Sequence, residues 1–445
     1  MVSIAHSERH RASALVLALV LALVVALFSP APPALADEDF SGSLANGTQW
    51  IAVVPDDWNG TLLLHSHGYL PSFVPFPNPA PTINAIPAAA DFLDLGYAVA
   101  ASSYADKGWA LPTAPQDQLD SLQAAIDAIG AEPDTVLAYG TSMGGLVTAQ
   151  LAESAGNVID GAMPTCGIVA GGADLNNYQL DGAHAVNELL ADGSIQIAGY
   201  ATQGDAFAAS AALQAAVNAA TTADTPEARA RVALAAAFFQ LDPSDLAGII
   251  GFVTPARFDL ITAAGGESGW NEGVDYQRLF SKSPYRRMVA ALYRDAGLSL
   301  RADLKTLTET ADVLFNEAAV ESMLGHSQPN GDLQMPVLSI HTTYDPLVPA
   351  EHEEEYADDV HSQGNRPLFR QAFVDRPGHC SFTSAELVAG VKVLEKRVDT
   401  GRWPAASVNP RKLNQLALSF DLGDSAFIRF RPGEFIGDRS DSVNP

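Results

Sequence analysis

Tyr139-Gly140-Thr141-Ser142-Met143-Gly144-Gly145 decides how this chain is read, because a Gly-x-Ser-x-Gly pattern here separates two runs of different character. The run before it, Thr135-Val136-Leu137-Ala138-Tyr139, predicts a buried parallel strand. The run after it, Leu146-Val147-Thr148-Ala149-Gln150-Leu151-Ala152, predicts a helix. A serine on so tight a strand-to-helix turn needs neighbours two positions away on either side that are nearly free of side chain, which Gly140 and Gly144 are. Such a turn exposes the Ser142 hydroxyl as a candidate nucleophile. It also aims the Met143 N–H, at a helix start, toward the point where negative charge develops in acyl transfer.

Outward from this turn the pattern alternates. A hairpin with Thr48 to Val54 as its clearest strand, a strand from Thr61 to His65, a helix from Pro81 to Leu95, a strand from Tyr97 to Ser102 and a helix from Gln116 to Ile129 precede it. A strand-like Gly161-Ala162-Met163-Pro164-Thr165 follows. Strand alternating with helix predicts an α/β fold, a mainly parallel sheet covered by helices on both faces. From 176 to 329 Ala-rich helical stretches such as 205–220 and 226–239 follow one another with no convincing strand, which predicts an inserted α-helical cap. Strands resume at 336–341 and 368–374, with an acidic helix at 350–360 between them, and a last helix spans 384–399. The predicted organisation is therefore a core over 37–175 and 330–403, the cap at 176–329, and a tail at 404–445 with one strand-like patch at 426–430 and no assigned role.

The remaining chemistry is sought at the ends of the later strands. Asp345 stands in the Pro-rich loop Tyr344-Asp345-Pro346-Leu347-Val348-Pro349 just past a strand, where it can hold an imidazole in one tautomer; Asp332, Glu351 and Glu353 are its rivals. His379 lies in Arg376-Pro377-Gly378-His379-Cys380, past the last core strand, where it can take the serine proton and return it to a leaving group. The order Ser142, Asp345, His379 is that of one hydrolase architecture.

With these residues quoted, the chain resembles the α/β-hydrolase superfamily over roughly 44–175 and 330–403: the elbow, the acid loop, the histidine loop and an upstream His67-Gly68 carry the likeness. The resemblance implies that the residue after His-Gly, here Tyr69, supplies the second oxyanion N–H beside that of Met143, and that the helical segment is a cap inserted after the sixth strand. It implies a serine esterase acting on small-molecule esters without a cofactor, or a peptidase or amidase using the same residues. An aminopeptidase would need acids in the cap, for which Glu309, Glu317 and Glu321 are available. A non-catalytic binding protein on the same scaffold is the alternative of another class. Tyr69 and Leu70 stand where lipases of the His-Gly-Gly-Gly kind carry further glycines. Tyr104 and Trp109 fall on the catalytic edge and are candidate pocket residues.

Arg9 and Arg11 precede an uncharged run from Ala12 to Phe28, and Ala34-Leu35-Ala36 follows a Pro-rich break: a secretory signal cleaved near Ala36, with an uncleaved anchor as its rival. No other segment is expected to reach membrane-spanning length. With 52 acidic against 25 basic residues, the chain carries a formal charge of −27, which disfavours nucleic acid and anionic membranes as partners. The two cysteines, Cys166 and Cys380, are an even pair in an oxidising compartment; they form either one disulfide, which would clamp the histidine loop to the core, or two separate buried thiols. His65 and His67 have the His-x-His spacing of a zinc pair, but no third ligand is evident, so they are assigned to the oxyanion loop. Asn46-Gly47-Thr48 and Asn59-Gly60-Thr61 match the glycosylation pattern and are read as turns.

Overall fold

The computed structural model describes residues 38–439, so the leader reading of residues 1–36 lies outside the described residues. In chain order the first elements are β1 (Glu38–Ser43), β2 (Gln49–Val54), β3 (Thr61–Ser66), α1 (Ala89–Asp94), β4 (Ala98–Ser102), α2 (Ala114–Ile129), β5 (Thr135–Thr141), α3 (Met143–Ser154) and β6 (Gly161–Thr165). Eight helices follow without an intervening strand: α4 (Gly172–Leu190), α5 (Gln203–Ala223), α6 (Pro226–Phe238), α7 (Leu246–Ala264), α8 (Tyr276–Lys282), α9 (Arg286–Asp295), α10 (Leu300–Thr310) and α11 (Glu317–Ser327). Then come β7 (Val337–Tyr344), α12 (His352–Ser362), β8 (Phe369–Pro377), α13 (Ser384–Thr400), α14 (Pro410–Leu418) and β9 (Phe427–Ile428).

All nine strands form one sheet in the order β1-β2-β4-β3-β5-β6-β7-β8-β9. Pairing is parallel from β4 through β8, and antiparallel at β1-β2, β2-β4 and β8-β9. Every residue of β3, β4 and β6 is buried, as expected where helices cover both faces of a parallel sheet. Alternate residues separate into two cores. Leu62, Leu64, Ala98, Ala100 and Ala138 face α2, α3 and the insertion, while Leu63, Val99, Leu137 and Tyr139 face α1, α13 and α14.

Four findings refine the sequence reading. The helix expected over 81–95 is instead a short 3-10 turn, Ile83–Ala85, and the six-residue α1. Pro87 lies between them, where it lacks an N–H to give and keeps the residue before it out of helical geometry. The Asn-Gly pairs are turns: Asn46 Oδ1 accepts from Thr48 N at 3.1 Å and Asn59 Oδ1 from Thr61 N at 2.8 Å. A second segment does reach membrane-spanning length, contrary to expectation, since α7 has 19 residues and a mean hydropathy of 1.4. It packs inside the insertion, where buried Arg257 bonds Asn176, the Ile197 carbonyl and Glu267 at 2.7–2.9 Å. The tail, which the sequence left without a role, pairs β9 on β8 and then runs to the insertion. Phe435 lies 4.1 Å from the His352 ring and Arg439 ion-pairs with buried Asp181 of α4.

Candidate active site

Ser142 sits between β5 and α3 with φ 59° and ψ −123°, a conformation strained for any residue with a Cβ. The surrounding packing enforces it. A Cβ on Gly140 would come within 2.3 Å of the Gly144 carbonyl oxygen, and one on Gly144 within 2.0 Å of the Ser66 carbonyl oxygen, so α3 starts against β3 and β5 only because both positions are glycine. As the first residue of α3, Met143 has no intrahelical acceptor for its N–H. Among the described residues, the N–H groups of Met143 and Tyr69 donate to no protein acceptor.

Neighbouring strands bring Asp345 and His379 together. Asp345 directly follows β7, and His379 follows β8, its parallel neighbour. Asp345 Oδ2 accepts from His379 Nδ1 at 2.7 Å, while Asp345 Oδ1 accepts from Leu347 N and Val348 N at 2.9 and 3.0 Å. Burial alone would push the Asp345 carboxyl up; the charge and hydrogen bond of His379, with His341 and the Val348 N–H, outweigh it and hold the group below its ordinary value. Of its rivals, Asp332 is exposed, and Glu353 is turned into the core toward Ser339 Oγ and Gln371. Among the described residues no hydrogen bond joins Ser142 to His379, whose Nε2 lies 3.4 Å from Cys380 Sγ. Both line one cavity.

The loop after β3 forms the opposite wall. His67 stacks on Tyr104 with centroids 4.0 Å apart, and its ring nitrogens lie 2.7 Å from the Gly68 carbonyl and 3.1 Å from that of Ser103. Tyr104 corrects the sequence reading: it is fully buried and its hydroxyl donates to the His67 carbonyl at 2.9 Å, so it braces the loop from behind rather than lining the cavity. Trp109 does line the cavity, and its Nε1 donates to Ser327 Oγ of α11 at 2.8 Å. His65 packs on Tyr139; burial lowers its pKa to about 3 and that of His67 below the ordinary value, so neither brings positive charge to the site.

The cavity measures about 510 Å³ and is roofed by Phe252, Ala256 and Leu260, one face of α7, with Leu175 and Gln179 of α4 beside them. Its described lining contains no Asp, Glu, Lys or Arg. The roof residues escaped the sequence reading because α7 is apolar nearly all round, so no stripe marks the face that meets the site. The three cap acids considered for an amino-group subsite do not reach it: Glu309, Glu317 and Glu321 are exposed, and Glu309 pairs with Lys305.

Cys166, just past β6, and Cys380, beside His379, form a disulfide with Cα atoms 5.4 Å apart. The bridge ties the histidine loop to the strand next to the serine elbow. It closes 214 residues of chain, for which loop-closure entropy in the unfolded state amounts to roughly 5 kcal/mol, with 2–4 kcal/mol typical of measured bridges. The double variant Cys166→Ser/Cys380→Ser is expected to lose about 2–4 kcal/mol in urea unfolding and, if His379 serves as a base, about tenfold in kcat, because the covalent tie between the histidine loop and the core is gone.

No protein-family profile matches this chain. Among curated proteins, an o-phthalyl amidase from Xanthobacter agilis is 28% identical over 439 aligned residues, covering 86% of this chain and 92% of the relative. Among solved structures, an esterase from Pyrococcus furiosus superposes with a TM-score of 0.41 at 12% identity, covering 83% of this chain and 96% of that one. An acylaminoacyl peptidase from Pyrococcus horikoshii gives 0.43 at 12% identity, covering 85% of this chain and 44% of that one. Independently of those superpositions, the strand order, the serine elbow after β5, the acid after β7 and the histidine after β8 give this chain the α/β-hydrolase fold.

Proposed function

We propose that this chain is a serine hydrolase that cleaves neutral carboxylic esters through an acyl-enzyme intermediate. The observation that carries the reading is the 2.7 Å Asp345–His379 contact, facing the same uncharged cavity as the elbow serine. In this reading His379 takes the Ser142 proton as the hydroxyl attacks the acyl carbon, and the N–H groups of Tyr69 and Met143 hold the oxyanion. His379 then protonates the departing alcohol, and water, activated by the same imidazole, releases the acid. No Asp, Glu, Lys or Arg stands in the described lining to serve as a counter-ion, which supports uncharged substrates; the aromatic and aliphatic roof supports an apolar acyl or leaving group.

A second reading, amide hydrolysis by the same residues, is favoured by the amidase similar to this chain along nearly its whole length. The helical insertion acts as the cap in both. The apolar leader and the disulfide support action outside the cytoplasm.

The test pairs labelling with turnover. Fluorophosphonate adducts are mapped by mass spectrometry, and 4-nitrophenyl esters and 4-nitroanilides are compared with benzoyl and with ortho-carboxybenzoyl acyl groups. A single adduct on Ser142, with the benzoyl ester turned over fastest, is expected. The benzoyl anilide outpacing its ester would move the assignment to amidase. Absence of both adduct and turnover in folded protein would overturn the enzymatic reading in favour of a binding scaffold.

A further inference from the structure

The loop that carries Tyr69 is not held by the core alone. Asp259, 5% exposed and lying on α7 of the insertion, accepts three hydrogen bonds from it. The Tyr69 hydroxyl donates to Asp259 Oδ2 at 2.5 Å, Ser72 N donates to the same oxygen at 2.9 Å, and the Ser72 hydroxyl donates to Oδ1. Gly108, whose N–H donates to the Leu70 carbonyl at 2.7 Å, leaves the room for this: a Cβ there would meet the Asp259 carboxyl at 3.2 Å. On the same helix Leu260, next to Asp259, and Ala256 and Phe252, about one and two turns before it, roof the cavity, and the Phe252 ring stands edge-on to Tyr69 at 6.3 Å. Arg257, two residues from Asp259, anchors the helix to α4 and to Glu267. The carboxylate is therefore fixed from behind, and the 69–72 turn hangs on it.

We propose that Asp259 is a positioning residue for the oxyanion hole, which is thereby built jointly by the core and the insertion. Met143 N–H is set by the elbow and α3, both core elements. Tyr69 N–H is set by the turn that Asp259 holds through the phenol of the same residue and through Ser72. A charged acceptor makes such bonds strong and directional, and burial keeps water from competing for them. It follows that the insertion cannot lift off as an independent lid without releasing one of the two oxyanion donors. Contact between substrate and the α7 roof is then linked to the placement of that donor. The inference rests on Ser142 and the two N–H groups acting as proposed above.

The experiment compares Asp259→Ala with wild type in protein already shown to label at Ser142, which separates failure of this inference from failure of the enzymatic reading. Three quantities are measured with the best ester substrate: kcat, KM, and the inhibition constants of a trifluoromethyl ketone and a methyl ketone of the same shape. The trifluoromethyl ketone adds the serine and carries an oxyanion; the methyl ketone reports shape alone. Loss of one oxyanion donor lowers kcat by roughly 10² to 10³, and a misplaced donor is expected to cost about 10- to 100-fold, with KM within about threefold of wild type. The trifluoromethyl ketone should weaken by the same factor while the methyl ketone is unchanged. Equal weakening of both ketones, or a rise in KM at constant kcat, would show that Asp259 only shapes the pocket and would overturn the proposal. If Asp259→Ala does not fold, Tyr69→Phe, which removes only the phenolic donor, is read by the same criteria, with unchanged kcat and ketone constants counting against the proposal.

Discussion

Ser142→Ala is expected to abolish turnover, lowering kcat by about 10⁶-fold on the best ester while leaving the thermal midpoint within a few degrees of wild type. Alanine keeps the Cβ, so the strained φ of 59° and its supporting glycines are unaltered and the elbow retains its shape. Only the hydroxyl is lost, and with it the bond that defines the acyl-enzyme. Water attacking a substrate held by the same cavity would still profit from the oxyanion donors, which sets a residual of roughly 10³–10⁴ over the uncatalysed reaction. Steady-state kinetics with a fluorogenic ester, run on protein purified away from host esterases, checks this. A variant retaining more than about one part in a hundred of wild-type kcat would place the nucleophile elsewhere.

Asp345→Asn should be nearly as severe, about 10⁴-fold in kcat at neutral pH, although it removes no reacting atom. The carboxylate does two things at once: Oδ1 is held by the N–H groups of Leu347 and Val348, and Oδ2 receives the Nδ1 proton of His379. In the variant the amide oxygen keeps the two backbone donors, which forces the NH₂ group toward His379. Nδ1 must then accept, the proton moves to Nε2, and the imidazole presents a donor to Ser142 where it should present an acceptor. The folded pKa of Asp345 is depressed, so its contribution to stability is present above the ordinary carboxylate pKa and is lost as pH falls through the folded value. The wild type should therefore lose stability on that acid limb, and the variant should lack this part of the loss. A tenfold or smaller effect on kcat at neutral pH, with unaltered folding, would mean that the histidine is oriented by something other than Asp345.

What could be read from the sequence was whatever local sterics or chain order impose. Gly140 and Gly144 flank Ser142 because no side chain fits between α3 and the carbonyls behind it, so the motif is a packing constraint written in adjacent letters. Asp345 and His379 follow from the rule that chemistry collects past the carboxyl ends of parallel strands. Pro87 splits the helix expected over 81–95, because it lacks an N–H and keeps Ile86 out of helical geometry. Asp259 could not be found this way: it lies 190 positions from Tyr69, in a helix whose composition says only that it is buried. Tyr104 misled because a loop aromatic on the catalytic edge can face either the cavity or the turn behind it, and only the His67 stacking decides which. The tail gave no signal because Phe435 and Arg439 work singly, each against a residue of a distant element.

The Cys166–Cys380 bridge has a topological consequence. The two cysteines bracket everything from the end of β6 to the histidine loop, so all eight inserted helices lie within a single covalent ring. A protease that nicks an exposed connection anywhere in that ring opens it without parting the molecule: the fragment bearing Ser142 and the fragment bearing His379 stay joined through sulfur. The oxidised protein can thus be cut once at an exposed connection between Cys166 and Cys380 and still migrate as one species until a reductant is added.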